Sequence, residues 1–287
     1  MIILDGKACA KALKQEVSKA LEAYYKKGYP KCKLAIVMVG NNPASEVYVR
    51  NKERACEAAN IGGELILMSE NSTQAEVEEK VKSLALDKSI HGILVQLPLP
   101  KNLDGDKACE LVPYEKDVDG FTAKNLGELV LGNNKILSCT PGGIIYMLKK
   151  YGIDLNGKNA VVLGRSKIVG KPMALALLNE NCTVTVCHSK TKNLKEVCAR
   201  ADILIAAIGK PCFVTSDMVK EGAIVVDVGI NRTESGLKGD VDFENVAEKC
   251  SYITPVPGGV GPMTVAYLMK NTLVAYESAN NINENEL

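Results

Sequence analysis

Three clusters of residues have the types and spacing to do chemistry. In the first, Tyr48 and Lys52 lie four apart in a segment of helical pattern that follows Ser45, a plausible N-cap, so both project from one face, which runs on to Cys56. Gln96 lies where the apolar run of GILVQLPLP (92–100) gives out into prolines, and strand ends of this kind gather ligands in open α/β sheets. A lysine that is partly desolvated there has its pKa lowered and can act as acid or base near neutrality. The plainer reading of Lys52 is a solvated helix lysine, and the coincidence with Gln96 at a strand end is what argues against it.

The second cluster is AVVLGRSKIVGKPMA (160–174): an apolar run, an abrupt Gly164, the polar Arg165-Ser166-Lys167, then Gly170 and Pro172 opening an amphipathic segment. This is the order of strand, tight turn and helix N-terminus, where backbone N–H groups and the helix dipole favour an anion. It departs from the usual dinucleotide fingerprint because Ser166 stands two positions after Gly164, where a second glycine is common, and an ordinary strand-to-helix turn reads the same way. The next apolar segment, TVTVCH, ends in Ser189-Lys190-Thr191 without the acid that would hold the ribose hydroxyls of NAD about 20 residues beyond the first glycine. A guanidinium with hydroxyl and ammonium groups suits the extra phosphate of NADP. A solvated loop that happens to lack an acid is the alternative.

The third cluster is made of loops. Asp117 and Asp119 in KDVDG can hold an amino-pyrimidine type of ring, or serve the turn closed by Gly120 and cap a helix at Thr122. Gly258-Gly259-Val260-Gly261-Pro262 lets backbone approach a flat ligand closely, or forms a helix N-terminus used only for packing.

The elements that must position these clusters alternate. A helix over 7–27 is followed by a strand, LAIVMVG, ending at Gly40, a helix from about Glu46 to Asn60, a strand over Glu64–Met68, a helix over Thr73–Leu86 and a strand in GILVQLPLP. This βαβαβ rhythm with continuously apolar strands predicts a covered parallel sheet. After helix-like stretches around Leu126–Leu131 and from Pro141 to Gly152, strands are expected near 160–163, 184–188, 203–208 and 224–229, and a terminal helix of about 15 residues follows the last glycine loop. The fold class is thus α/β: two α/β domains flanking a cleft, the second Rossmann-like with a parallel sheet and bound NADP. Domain boundaries are expected at 1–120 plus a C-terminal helix, 263–287, for the first domain and 140–262 for the second, joined by helical segments over 121–150.

Composition narrows the classes. With 287 residues, 46% hydrophobic and 24% charged, the chain suits two soluble globular domains. A net charge of +1 without a basic block argues against nucleic acid, and no apolar run approaches the ~20 residues of a membrane span. The start, MIILDGKACAKALKQEV, shows no signal-peptide pattern. Ten cysteines without any CxxC, and only His91 and His188, read as reduced, mostly buried thiols in a reducing cytoplasm, with no metal site.

Taken together, SEVYVRNKERAC (45–56), GILVQLPLP (92–100), PYEKDVDGF (113–121), CTPGG (139–143), VVLGRSKIVGKPMA (161–174), CHSKT (187–191), ADILIAAIGKP (201–211), VVDVGIN (225–231) and PVPGGVGPMTVA (255–266) resemble, in order and across nearly the whole chain, the bifunctional methylenetetrahydrofolate dehydrogenase/methenyltetrahydrofolate cyclohydrolase family. The resemblance implies that Lys52 does the proton chemistry of the cyclohydrolase step, that Tyr48 packs against the folate and helps place the lysine, that Gln96 hydrogen-bonds and tunes it, and that Asp119 grips the pterin ring. It implies substrate contacts from Leu97 and from Pro257, Gly258, Gly259, Val260, Gly261 and Pro262, and NADP contacts from Gly164, Arg165, Ser166, Ser189 and Ile230. A homodimer is implied in the same way. Arg54 stands where the family often has a second lysine, and keeps the charge. Two other classes share parts of the pattern: a shikimate-type dehydrogenase, which would not need DVDG and PGGVGPMT together, and a dinucleotide-binding sensor, which could dispense with Lys52 and Gln96.

Overall fold

The structure, a computed structural model, describes residues 1–40, 43–234 and 236–282, with the backbone only over 43–48. In chain order the first elements are β1 (Ile2–Ile3), α1 (Gly6–Lys26), β2 (Lys33–Val39), α2 (Pro43–Ala58), β3 (Gly62–Met68), α3 (Gln74–Leu86), β4 (Gly92–Val95), α4 (Gly105–Glu110) and α5 (Ala123–Leu131). They are followed by α6 (Cys139–Lys150), β5 (Asn159–Leu163), α7 (Gly170–Asn179), β6 (Thr183–Cys187), α8 (Leu194–Cys198), β7 (Ile203–Ala206) and β8 (Ala223–Asp227). A hairpin of β9 (Asn231–Thr233) and β10 (Gly236–Lys238), then α9 (Phe243–Val246), β11 (Cys250–Ile253) and α10 (Val260–Ala279), complete the chain.

Two compact units result: Lys11–Cys139 with Val265–Leu287, and Met1–Ala10 with Thr140–Thr264. In the first, a parallel sheet has the order β3-β2-β4, and its strands β2 and β4 are buried on both faces while the edge strand β3 is partly exposed. Leu34, Ile36 and Met38 of β2 join a core with Val17 and Leu21 of α1, Cys56 of α2, and Leu268 and Tyr276 of α10. Their neighbours Ala35, Val37 and Val39 point the other way, against Val77, Val81 and Leu84 of α3. Period-two alternation with both faces covered is why β2 reads as an unbroken apolar run. The α3 helix starts with a capping box, Thr73 accepting from the Glu76 N–H while the Glu76 carboxylate accepts from the Thr73 N–H.

In the second unit six strands run parallel in the order β1-β11-β8-β7-β5-β6. The chain leaves β5 to one side for β6 and returns to the other for β7, so the strand order reverses at β5, and ligand crevices in open α/β sheets form at such a reversal. The core includes Val161 and Leu163 of β5, Leu204 and Ala206 of β7 and Val225 of β8.

Several details differ from the sequence expectations. Residues 1–10, expected with the first half, group with the second unit because β1 adds to its sheet edge beside β11. The joining helices divide, α5 falling in the first unit and nearly all of α6 in the second. Helix α2 starts at Pro43, so Ser45 lies inside it rather than at its N-cap. Helix α10 runs 20 residues, longer than expected, because it opens at Val260 directly out of the glycine loop.

Candidate active site

The chemistry of the first unit collects at the carboxyl ends of β2 and β4. Strand β4 ends at Val95 and presents Gln96, nine-tenths buried, whose backbone N–H still bonds the Val37 carbonyl. Its side chain is fixed at both ends: Nε2 donates to the Leu97 carbonyl at 2.6 Å, and Oε1 accepts from Lys52 Nζ at 2.8 Å. The helix therefore brings Lys52, half-buried, to the strand end beside Gln96. Tyr48 belongs to α2, but its side chain lies outside the described residues.

The two aspartates of DVDG divide their tasks. Asp117, buried, accepts from the Gly120 N–H (3.1 Å), the Thr122 N–H (2.8 Å) and Asn125 Nδ2 (2.9 Å), so it builds the turn. Thr122 caps α5 by accepting from the Asn125 N–H. Asp119 points elsewhere and meets the thiol of Cys139, which donates toward its Oδ1 at 3.7 Å. Burial drives the Asp119 carboxyl above the ordinary aspartate range; the positive charge of Lys52 opposes the rise and Asp117 adds to it. Burial likewise holds Cys139 well above the usual thiol range, so it is a protonated donor here. Buried Asn271 of α10 anchors this segment, donating to the carbonyls of Val118 and Leu137 at 2.8 Å each.

The second unit supplies a different site. At the carboxyl ends of β5, β6 and β7 a cavity of about 320 Å³ is lined by Gly164, Arg165, Ser166, His188 and Ser189, with Ile208 and Lys210 opposite. Gly164, at φ +129°, is obligatory: a Cβ there would stand 2.2 Å from the Ala207 carbonyl oxygen. Gly170 opens α7, and a Cβ on it would stand 2.4 Å from the Gly164 carbonyl oxygen. Ser166 is not simply waiting for a ligand. Its Oγ accepts from the N–H groups of Val169 and Gly170, so part of the donor set expected to face an anion is already taken by the turn's own serine. Arg165 and Ser189 are exposed at the cavity mouth, and no carboxylate is among its described lining residues. A dinucleotide phosphate fits this cradle of cation, hydroxyls and close-packed glycine.

A second cavity, about 170 Å³, is lined by Lys7, Asp227, Gly229, Ile230 and the Pro255–Pro262 loop, which includes Pro257, Gly258, Gly259, Val260 and Gly261. That loop is held down closely: a Cβ on Gly6 would lie 1.7 Å from the Gly259 oxygen, and Gly258 sits at φ +113°. Among the described residues no three His, Cys, Asp or Glu side chains cluster as metal ligands. Sequence reasoning passed over Ile208, Lys210, Cys139 and the buried acid Asp227. For Asp227 a signal existed, since an acid ends the otherwise wholly apolar strand AIVVD.

Folded in this way, the chain is an α/β enzyme with a Rossmann-like dinucleotide-binding unit and a second unit carrying a lysine–glutamine pair. The comparisons with known proteins give it a family. The catalytic-domain model of the tetrahydrofolate dehydrogenase/cyclohydrolase family matches residues 4–119, and that family's NAD(P)-binding-domain model matches residues 138–280. The bifunctional protein FolD of Campylobacter concisus is 56% identical over 97% of this chain and 98% of that protein. The crystal structure of the bifunctional dehydrogenase/cyclohydrolase FolD from Campylobacter jejuni is 50% identical, with a TM-score of 0.94 over 97% of this chain and 99% of that one. The Trypanosoma brucei enzyme, solved with NADP cofactor and inhibitor, is 35% identical, with a TM-score of 0.91 over 98% of each chain. The chain belongs to the tetrahydrofolate dehydrogenase/cyclohydrolase family.

Burial pushes Asp227 up to about 6, against three backbone N–H bonds that favour its charged form. The folded state thus holds this proton where the unfolded chain, with aspartates near ~3.9, has released it. Asp227's contribution to stability is fully present below that lower value and is lost as pH rises through about 6. Urea unfolding of the parent and Asp227→Asn should show the parent losing roughly 2–3 kcal/mol relative to the variant between about pH 4 and about pH 7. A difference that does not change with pH contradicts the assignment.

Proposed function

We propose that Lys52, held by Gln96, carries the proton transfers of a chain that oxidises 5,10-methylenetetrahydrofolate to 5,10-methenyltetrahydrofolate with NADP and hydrolyses the product to 10-formyltetrahydrofolate. The observation that carries this reading is the 2.8 Å bond from Lys52 Nζ to Gln96 Oε1 beside Asp119. The first unit takes the folate and the second the cofactor. NADP, when bound, accepts the hydride that leaves the methylene carbon. Gly164, Arg165, Ser166, Ser189 and Ile230 hold it, and the chain's main task in this step is alignment.

Hydrolysis asks more of the side chains. Water adds to the methenyl carbon and loses a proton; the carbon–N5 bond then breaks as N5 gains a proton and the new hydroxyl gives up its own to become the formyl group. One proton is released overall. With one N–H held by Gln96 Oε1, Lys52 Nζ is fixed in place to exchange protons with the attacking water and with N5. In this reading Asp119 accepts from the ring's N–H groups, Tyr48 packs on the folate, and Leu97 adds a further substrate contact. Asp119's raised pKa marks a carboxyl whose burial the surrounding side chains do not offset, which leaves that task to ligand donors.

Lys52→Met should lower methenyl hydrolysis at least about 100-fold with the fold intact by circular dichroism, and dehydrogenase activity to a smaller extent. Methenyl decay at the parental rate would remove Lys52 from the mechanism. Arg165→Ser should weaken NADP binding by roughly tenfold or more while leaving NAD within about threefold, because only NADP carries the 2′-phosphate. Titration calorimetry with both dinucleotides measures this, and equal losses for the two would contradict the assignment.

A cytoplasmic setting is supported by the cysteines, all ten of them free thiols and eight of them buried. Among the described residues no helix is long and apolar enough to cross a membrane. A homodimer rests on the family resemblance, and sedimentation velocity should show two chains per particle at micromolar concentration.

A further inference from the structure

Asp240 is wholly buried and lines neither cavity, yet its carboxyl binds the loops that do. Oδ2 accepts from the N–H groups of Ile208 and Gly209 at 2.7 and 2.9 Å, and Oδ1 accepts from the Lys210 N–H at 2.8 Å and from Asn231 Nδ2 at 3.0 Å. Three successive amides converge on one carboxyl because Gly209, at φ +65°, turns the chain into a concave nest. Four N–H bonds fill the lone-pair capacity of a carboxylate. The Asp240 N–H in turn donates to Asp227 Oδ1, which also accepts from the Gly229 N–H.

The fit leaves no slack. A Cβ on Gly229 would come within 2.3 Å of Asp240 Oδ1, and one on Gly239 within 1.8 Å of Asp227 Oδ2. Two neighbouring acids therefore tie together the loop after β7, the loop after β8 and the segment after the β9–β10 hairpin. Ile208 and Lys210 wall the cavity that contains Gly164 and Arg165, while Gly229 and Ile230 wall the cavity under the Pro257–Pro262 loop.

We propose that Asp240 is a positioning residue for the cofactor, locking the loops after β7 and β8 to each other so that the two cavity walls keep a fixed spacing. The proposal rests on the reading that Gly164–Ser166 and Ile230 bind NADP. A carboxyl is the group that can do this, because a side-chain amide would turn a donor toward backbone donors and loosen the nest.

The test is NADP affinity measured by titration calorimetry on the full chain, alongside folate KM and circular dichroism. Asp240→Asn should raise the NADP Kd roughly tenfold or more, and the folate KM several-fold less than that, since a small misplacement of a positioning group is costly. Asn231→Ala removes one of the four bonds without disturbing the nest and should shift the NADP Kd in the same direction by about threefold. A folded Asp240→Asn that binds NADP like the parent overturns the proposal, as does a variant whose folate KM rises as much as its NADP Kd. If Asp240→Asn does not fold, Asn231→Ala decides, and an unchanged Kd there overturns it. Failure of the parent to bind NADP would overturn the cofactor reading and this proposal together, whereas an Arg165→Ser loss without an Asp240→Asn loss removes this proposal alone.

Discussion

Strands that all run parallel deliver all their carboxyl ends to one edge of a sheet, and both units of this chain are built on that constraint. Beyond the last ladder bond the backbone must turn, and there its polar groups and side chains become available to a ligand. In the first sheet this places Gln96 after β4; in the second it places Gly164, Ser189, Ile208 and Ile230 after β5, β6, β7 and β8 in succession. The same convergence crowds the backbone. Gly164 has no room for a Cβ beside Ala207, nor Gly170 beside Gly164, so the glycines are set by packing before any ligand arrives. What looks in the sequence like a cofactor motif is, first, the only chemistry that lets two strand ends and a helix start share one place.

That double origin explains how far the fold and the site were legible. Strands β2, β5, β7 and β8 are buried on both faces, and their uninterrupted apolar runs identify them without knowledge of their neighbours. Strands β1 and β11, and the β9–β10 hairpin, are two to four residues long and owe their extension to the partner beside them, so no local pattern announces them. The site divides along similar lines. Lys52 and Gln96 were placed together because helix spacing and a strand end are both local signals, and the 2.8 Å bond joins them. Ser166 reads as a phosphate contact from its position, but its hydroxyl also caps the turn, a competition that depends on φ/ψ rather than on residue type. Asp240, in GDVDF, looks like a turn acid; its four donors come from loops 9 to 32 residues away in sequence.

The buried acids of the two units show how the protein separates structural from chemical work. A carboxyl removed from water needs donors, and backbone amides at a turn are the cheapest source. Asp117 takes two such amides and the Asn125 amide, and Asp240 takes three amides and the Asn231 side chain, so both are spent on holding loops in place. Asp119 stands two residues from Asp117 in the same turn, but its neighbours are a thiol at 3.7 Å and the charge of Lys52. A thiol is a weak donor, and the lysine's own bond goes to Gln96. The rise in the Asp119 pKa is the physical trace of that incomplete compensation. In the proposed function a ring bearing two adjacent N–H donors would complete it, so the acid beside a fully satisfied one, and not the satisfied one itself, is the one left with acceptor capacity for a ligand.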